Sequence, residues 1–144
     1  MVLEGKRLFI VEDDLRNRMV YKLLLSKFAA HVEFEGWGPD VVKHLQEVAP
    51  VDLIVLDLML QRGSSGYDVF KEIRALPEFA EVPIVAVSAA EPGAAIARTR
   101  EMGFSGFIAK PIEQALFPEQ LDAIVAGRQV WYAGARYEGM KSSG

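Results

Sequence analysis

Acidic, hydroxyl and ammonium side chains each stand at the end of a short apolar run in this sequence. Three consecutive acidic residues, 12–14, follow the first run, and Asp57 follows a run of four aliphatic residues. Ser88 and Lys110 close two later runs. Side chains of these types could hold a cation and a phosphoryl group together if the fold brought the ends of the runs to one place.

The acidic residues favour a site for a hard divalent cation. Carboxylates gathered at one place repel one another unless a cation joins them. Oxygen ligands without nearby histidine or cysteine favour Mg²⁺, which uses one or two carboxylates with waters and a phosphate oxygen. The carboxylate of Asp57 could then attack phosphorus and form an acyl phosphate. Lys110 would offset charge on the phosphoryl oxygens, and Ser88 would hydrogen-bond one of them.

Alternating periodicities predict the elements that position these residues. Aliphatic runs predict strands over 7–11, 31–34, 51–57, 82–87 and 106–109. Helical spacing predicts helices over 14–29, 40–48, 67–76, 92–102 and 118–126, the first with Met19, Leu23, Leu24 and Phe28 along one face.

This alternation predicts an α/β fold, a doubly wound, five-stranded parallel sheet in the flavodoxin-like order 2-1-3-4-5 with helices on both faces. Ligands bind beyond the carboxyl ends of the strands in such sheets, and the polar residues stand at those ends. The sheet would therefore gather them at one edge.

Composition excludes several classes of function. The 144 residues, 51% of them hydrophobic and 25% charged, fit one compact domain. A net charge of −4 argues against direct binding of nucleic acid. The absence of cysteine excludes disulfides and thiolate sites and suits a reducing compartment. No run predicts a membrane span or a signal peptide, so we expect a cytoplasmic protein.

At these residues the sequence resembles the receiver family of two-component signalling. Residues 8–14, Leu-Phe-Ile-Val-Glu-Asp-Asp, are similar to the family's first strand and acidic pair, and Leu56-Asp57-Leu58-Met59 to its phosphoacceptor segment. Residues 85–89 and 107–111 are similar to its fourth and fifth strands. The resemblance covers residues 6–127, which we take as a receiver domain of the stand-alone type, with 128–144 as a C-terminal tail.

The resemblance implies a metal site and a phosphoacceptor. Asp57 would accept the phosphoryl group. Glu12 and Asp13 would bind Mg²⁺ together with Asp57, with Asp13 the more direct ligand of the pair. The backbone carbonyl of Met59 would complete the protein's part of the metal shell.

The resemblance also implies a switch. Lys110 and Ser88 would contact the phosphoryl group. Phe107 occupies the aromatic position that, in the family, turns inward when the hydroxyl residue moves towards the phosphoryl group. The bond between Lys110 and Pro111 is usually cis in such proteins.

The family further implies the partners. The phosphodonor would be a histidine kinase or a histidine phosphotransfer protein. The chain would be no turnover enzyme, catalysing only its own Mg²⁺-dependent phosphorylation and dephosphorylation. Because no effector segment is recognised after residue 127, we expect a protein partner to read the phosphorylated state. The fourth helix, fifth strand and fifth helix are the expected surface for it, or for a homodimer.

The tail carries aromatic residues, namely Val130 followed by Trp131, Tyr132 and Tyr137, among small and polar neighbours. Two interpretations stay open. The tail is a frayed end whose aromatics fold back on the domain, or it is a docking strip, since rigid aromatics serve as interface anchors.

Each residue taken alone has a simpler structural interpretation. The acidic run could cap a helix, and Asp14 fits that role best. Asp57 could form a turn, Lys110 could be a surface lysine, Ser88 a loop hydroxyl and Phe107 a core aromatic. The combination of these matches in the right order is what favours a functional site.

After Asp57 the sequence departs from the family pattern. Gln61 stands where the family usually has proline, and Ser65-Gly66 stands where an acidic-glycine pair usually opens the third helix, after a loop one residue longer. Ser65 can still cap that helix through its hydroxyl. The departure therefore concerns the shape of the loop that carries the Met59 carbonyl.

Two other classes of protein share part of the pattern. A flavodoxin-like electron carrier has the same strand order, but the acidic run would repel a flavin phosphate. A metal-dependent phosphatase that works through an aspartyl phosphate carries its nucleophile after the first strand and a second acid two residues later. Glu12 and Asp14 have that spacing, although Leu15 and Arg16 follow where a hydroxyl is expected. Both stay as alternatives.

Overall fold

The structure, a computed structural model, describes residues 1–28, 30–36, 40–60 and 65–134. Its strands are β1 (Arg7–Val11), β2 (His31–Glu35), β3 (Leu53–Leu56), β4 (Ile84–Ser88), β5 (Gly106–Ala109) and β6 (Val130–Tyr132). Its helices are α1 (Leu15–Ser26), α2 (Val41–Val48), α3 (Gly66–Arg74), α4 (Pro92–Met102) and α5 (Phe117–Val125), with a short 3₁₀ helix at Pro77–Phe79. Within these ranges no helix has the length and apolar character needed to cross a membrane.

The strands form one parallel sheet in the order β2-β1-β3-β4-β5-β6. Alternate residues of a strand face opposite sides of a sheet, and two apolar cores result. One core contains Phe9, Ile54 and Phe107 and packs against α2, α3 and α4. The other contains Ile10 and Val55 and packs against α1 and α5. The predicted α/β class and the order 2-1-3-4-5 are confirmed.

A sixth strand, which was not predicted, extends the sheet. β6 pairs in parallel with β5, so that Phe107 lies opposite Trp131. A Cβ atom at Gly106 would collide with the carbonyl oxygen of Val130, so a glycine there lets β6 approach. The guanidinium of Arg100 in α4 lies 4.7 Å from the ring of Trp131. The segment from Val130 to Tyr132 is thus a strand, and it pairs with the edge of β5, one of the elements of the surface that was expected to bind a partner. Tyr137 lies outside the described residues.

The residues that were predicted to share one face of α1 differ in burial. Met19 and Leu23 are 65% and 63% exposed, whereas Tyr21, Leu24 and Leu25 are buried. The ring of Tyr21 packs 5.6 Å from that of Phe117 at the start of α5. The helix carries two apolar stripes, and its packing against α5 selects the one that contains Tyr21.

Candidate functional site

The carboxyl ends of the four central strands meet at one edge of the sheet. Glu12 directly follows β1, Asp57 follows β3, Ser88 ends β4 and Lys110 follows β5. Ser88 and Ala109 are paired across β4 and β5, and the backbone N–H of Lys110 donates to the Ser88 carbonyl at 2.9 Å. The parallel topology therefore delivers these residues to one place.

Lys110 joins the two buried carboxylates. Its Nζ atom donates to Glu12 Oε1 and to Asp57 Oδ2, each at 2.8 Å. The side chains of Glu12, Asp57 and Lys110 are 1%, 8% and 14% exposed. Because water screens these charges little, the ammonium is what makes two neighbouring carboxylates tolerable there.

The electrostatics of the site keep Lys110 charged. Burial of the side chain by itself lowers the pKa of Lys110, but the hydrogen bonds and negative charges of Asp57 and Glu12 outweigh it and raise the pKa above its usual value. The same carboxylates act on Tyr21, which is buried in α1. Burial first, and then the charges of Glu12 and Asp57, raise the pKa of this phenol well above its usual range.

The loop after β3 fixes the carboxylate of Asp57. Its Oδ1 atom accepts a hydrogen bond from the backbone N–H of Met59 at 3.0 Å, while Oδ2 accepts from Lys110. Met59 forms an antiparallel bridge with Ser65, and the side chain of Met59 is 61% exposed. The hydroxyl of Ser65 accepts from the N–H of Asp68 at 3.2 Å and so caps α3. Gln61 lies outside the described residues.

The start of α1 encloses Glu12. Asn17 Nδ2 donates to Glu12 Oε1 at 3.1 Å, and the N–H of Asp14 donates to Oε2 at 3.3 Å. Arg18 Nε donates to the Glu12 carbonyl at 2.6 Å. Asn17 and Arg18 could not be predicted as site residues, because residues 16–18 are three consecutive polar residues and their order does not show which one faces the site.

Asp14 caps α1, while Asp13 is half-buried. The carboxylate of Asp14 accepts from the N–H groups of Arg16 at 2.8 Å and Asn17 at 3.2 Å. The hydrogen bond from Asn17, followed by that from Arg16, lowers the pKa of Asp14. Asp14, the third acid of the run, therefore has a structural role as the cap of α1, which differs from the role of Glu12 in the site.

The two residues of the expected switch are both buried. Ser88 is fully buried, and its Oγ atom accepts from the N–H of Ala90 at 3.2 Å. Phe107 is fully buried in β5, where it pairs with Ala86 of β4 on one side and with Trp131 of β6 on the other. The peptide bond between Lys110 and Pro111 is cis, as expected.

The donor chemistry fits Mg²⁺ bound by few protein ligands. Within the described residues no three acidic or histidine side chains converge as a metal cage. Mg²⁺ keeps several waters and needs only one or two carboxylates with further oxygens. Glu12 and Asp57 provide two carboxylates at one edge, and the bond from the Asp14 N–H to Glu12 Oε2 is long, at 3.3 Å. A water-rich, oxygen-only site is thus compatible with the residues present.

A family model described as the response regulator receiver domain matches residues 8–122. The chain belongs to this family. The match includes every residue of the site, and it confirms the resemblance that the motifs indicated. As a receiver domain, the protein is of the class found in two-component response regulators.

Curated relatives agree with this assignment. The transcriptional regulatory protein AfsQ1 of Streptomyces coelicolor is 30% identical over 118 residues, which are 82% of this chain and 50% of that protein. The two-component response regulator ARR3 of Arabidopsis thaliana is 31% identical over 115 residues, 73% of this chain and 49% of that protein. The chain thus spans about half the length of these relatives. The chemotaxis protein CheY-3 of Vibrio cholerae is 27% identical over 121 residues and is matched over 92% of its length.

Solved structures have the same fold. The non-phosphorylated HemR receiver domain of Leptospira biflexa is 25% identical, covers 85% of this chain and 95% of that one, and gives a TM-score of 0.73. The receiver domain of the sensor histidine kinase PA1611 of Pseudomonas aeruginosa is 26% identical, covers 85% and 99% of the two chains, and gives a TM-score of 0.74. In that structure a magnesium ion is coordinated in the active-site cleft.

Proposed function

We propose that this receiver domain takes a phosphoryl group on Asp57 from a phosphohistidine and passes the signal on by a change of conformation. The observation that carries the proposal is the contact of Lys110 with both Asp57 and Glu12 at the carboxyl edge of the sheet. Asp57 directly follows β3, an inner strand of the sheet whose four residues are all buried. We take residues 6–127 as the receiver unit. β6 lies beyond it and extends its sheet by one strand.

The chemistry proposed for Asp57 is nucleophilic attack. A carboxylate oxygen attacks phosphorus, an O–P bond forms, and the P–N bond of the phosphohistidine breaks. The imidazole leaves with the electron pair and takes a proton from solvent. Lys110 stays charged and moves part of its hydrogen bonding from Asp57 Oδ2 to a phosphoryl oxygen, which offsets the charge there.

We assign the metal site to Glu12, Asp13, Asp57 and the Met59 carbonyl. Mg²⁺ bound there would neutralise charge on the phosphoryl oxygens. Glu12 is held rigidly at the end of β1 by Asn17 and Lys110, and Asp57 is held by the N–H of Met59. Preorganised ligands of this kind favour Mg²⁺, which demands near-octahedral geometry.

Incubation with acetyl phosphate and Mg²⁺ is expected to add one phosphoryl group to the full chain. Asp57→Asn should remove the acceptor, and omission of Mg²⁺ should prevent the reaction, because the transfer would lack compensation for the phosphoryl charge. Intact-mass spectrometry measures both results. Asp52→Asn, an acid at the amino edge of the sheet whose carboxylate accepts from the N–H of Arg7, is the matched control and should label like wild type.

The phosphodonor protein is proposed to bind an apolar stripe on α1. Leu15, Met19 and Leu23 are 74%, 65% and 63% exposed and stand four residues apart, so they share one face of the helix. The helix starts directly after the acidic run and therefore lies beside the site. A helical histidine phosphotransfer protein or histidine kinase fits such a stripe.

Met19→Ser with Leu23→Ser is expected to slow labelling by a phosphorylated histidine phosphotransfer protein roughly tenfold, the cost of losing about 1.4 kcal/mol of docking energy. Labelling by acetyl phosphate should not change, because a small donor needs no docking surface. The transfer rate is followed by radiolabel loss from the donor. Val2→Ser removes an apolar residue that is 44% exposed and lies outside α1, and it serves as control. If labelling by acetyl phosphate slowed as much as labelling by the phosphotransfer protein, the substitutions would have damaged the phosphorylation site and not a docking surface.

The output is proposed to run from Ser88 to Phe107 and the adjoining α4. Ser88 Oγ is already held by the N–H of Ala90, so its O–H can donate to a phosphoryl oxygen at Asp57. A shift of Ser88 would change the space beside Phe107, which is packed in the same core as α4 and Trp131. The surface formed by α4, α5 and β6 would then differ between the two states, and a downstream protein or a second copy could read it.

Ser88→Ala is expected to accept phosphate on Asp57 yet lose most of the phosphorylation-dependent change in α4 and β5. Amide hydrogen exchange of the labelled and unlabelled protein measures that change. Ser105→Ala, at the amino end of β5, should behave as wild type. A labelled Ser88→Ala protein that shows the full change would contradict the route through Ser88.

A further inference from the structure

Asn17 makes a side-chain contact with Glu12, one of the proposed metal ligands. Its Nδ2 atom donates to Glu12 Oε1 at 3.1 Å, the same oxygen that accepts from Lys110 at 2.8 Å. Glu12 is 1% exposed, so no bulk water replaces a donor that leaves this oxygen. The carboxylate thus depends on two side chains, one charged and one neutral.

The two donors differ in what else they must do. Lys110 also serves Asp57 Oδ2, and in the proposed function it must serve the phosphoryl oxygens as well. In the proposed function, the side chain of Asn17 does not have to contact the phosphoryl group. Its own N–H donates to the capping carboxylate of Asp14, which fixes its place in the first turn of α1. Asn17 is therefore a donor to Glu12 Oε1 that the proposed transfer leaves in place.

Glu12 needs such support because of its length. A glutamate has one more rotatable bond than an aspartate, so its carboxylate can adopt more positions. Asn17 holds Oε1 and Arg18 Nε holds the Glu12 carbonyl at 2.6 Å, whereas the bond that Oε2 accepts from the Asp14 N–H is longer, at 3.3 Å. One carboxylate oxygen is therefore fixed and the other keeps lone pairs for a further ligand.

We infer that Asn17 is a positioning residue for Mg²⁺, which acts by holding Glu12 in the orientation that the ion requires. The inference rests on the proposed metal site. It means that a residue of α1 contributes to the affinity of that site for Mg²⁺. Hydrogen-bond partners of metal ligands typically contribute about 10- to 100-fold to metal affinity. Asn17 belongs to this class although it touches neither the ion nor the phosphoryl group.

The test is calorimetric titration of the full chain with MgCl₂ in the absence of any phosphodonor. Asn17→Leu keeps the size of the side chain and removes its donors, so the affinity for Mg²⁺ should fall about tenfold. Lys22→Leu introduces the same residue at an exposed position of the same helix and should bind as wild type. Equal affinities of wild type and Asn17→Leu would overturn the inference and leave the proposed function standing.

A second variant covers the case in which Asn17→Leu does not fold. Asn17→Asp keeps the shape but places an acceptor beside Glu12 Oε1, and the two carboxylates repel each other until a cation arrives. Mg²⁺ should therefore raise the unfolding temperature of Asn17→Asp more than that of wild type. An equal rise would contradict the contact with Glu12. Failure of the wild type itself to bind Mg²⁺ would remove the metal site, and this inference with it.

Discussion

Lys110→Ala is expected to lower the free energy of unfolding by about 3–5 kcal/mol, because removing one partner of a buried ion pair leaves uncompensated charge in the interior. Here two carboxylates would lose their partner, since Glu12 and Asp57, which are 1% and 8% exposed, both accept a hydrogen bond from the same ammonium. Urea unfolding at neutral pH measures the change. Lys71→Ala, an exposed lysine of α3, should cost far less.

The same lysine makes the stability depend on alkaline pH. The pKa of Lys110 is raised in the folded protein, so the contribution of its charge is fully present below the unfolded value of about 10.4 and is lost as the pH rises through the folded pKa. The difference between wild type and Lys110→Ala should therefore be constant around neutral pH and shrink only at strongly alkaline pH. A difference below about 1 kcal/mol at neutral pH would show that the contact is no stronger than a surface ion pair.

Gly66→Ala is expected to destabilise the domain by about 2 kcal/mol through overpacking. A Cβ atom at Gly66 would collide with the carbonyl oxygen of Asp57 and lie 2.9 Å from the Cα of Leu58, and both contacts are with backbone that cannot rotate away. The N–H of Gly66 also donates to the Leu58 carbonyl at 3.1 Å, so the start of α3 is held against the acceptor segment. Labelling of Asp57 should slow as well, since the segment must shift.

The matched control for this glycine is Gly93 in the first turn of α4. A Cβ atom there would meet only the carboxylate of Glu91, at 3.0 Å, and that side chain can move. Gly93→Ala should therefore cost less stability than Gly66→Ala. The Glu91 carboxylate, which caps α4 by accepting from the N–H groups of Gly93 and Ala94, must shift slightly, and alanine's higher helix propensity offsets part of that cost. Thermal unfolding of the two variants decides the matter. Equal losses of stability in the two variants would mean that the close approach of the backbone is not the reason why position 66 requires glycine.

Much of the fold and the placement of the site could be predicted from short stretches of sequence. Apolar runs indicate the buried strands, and polar residues at the ends of these runs indicate the site. The bounds of β1, α4 and β5 match those predicted, since a buried parallel strand is a continuous apolar run and Pro92 marks a helix start. The positions of Asp57, Ser88 and Lys110 at one edge then follow from parallel topology alone. The contact of one lysine with two carboxylates depends on side-chain geometry and could not be predicted from spacing.

The features that were not predicted correctly are those that depend on tertiary packing. Either apolar stripe of α1 satisfies helical periodicity, and the contact of Tyr21 with Phe117 selects the buried one. β6 has three residues and no periodic pattern, and its pairing depends on the absence of a side chain at Gly106. The spacing of Glu12 and Asp14 suited a phosphatase, but Asp14 caps α1 and has no contact with Asp57 or Lys110 among the hydrogen bonds of the described residues.

Reductive trapping of the labelled chain tests the central claim most directly. Borohydride reduces an aspartyl phosphate to homoserine, so the modified residue can be located by sequencing peptides in a mass spectrometer. After incubation with acetyl phosphate and Mg²⁺, homoserine is expected at position 57 and at no other acidic position. Homoserine at position 13 or 14, or labelled protein without homoserine at position 57, would contradict the assignment of Asp57 as the phosphoacceptor.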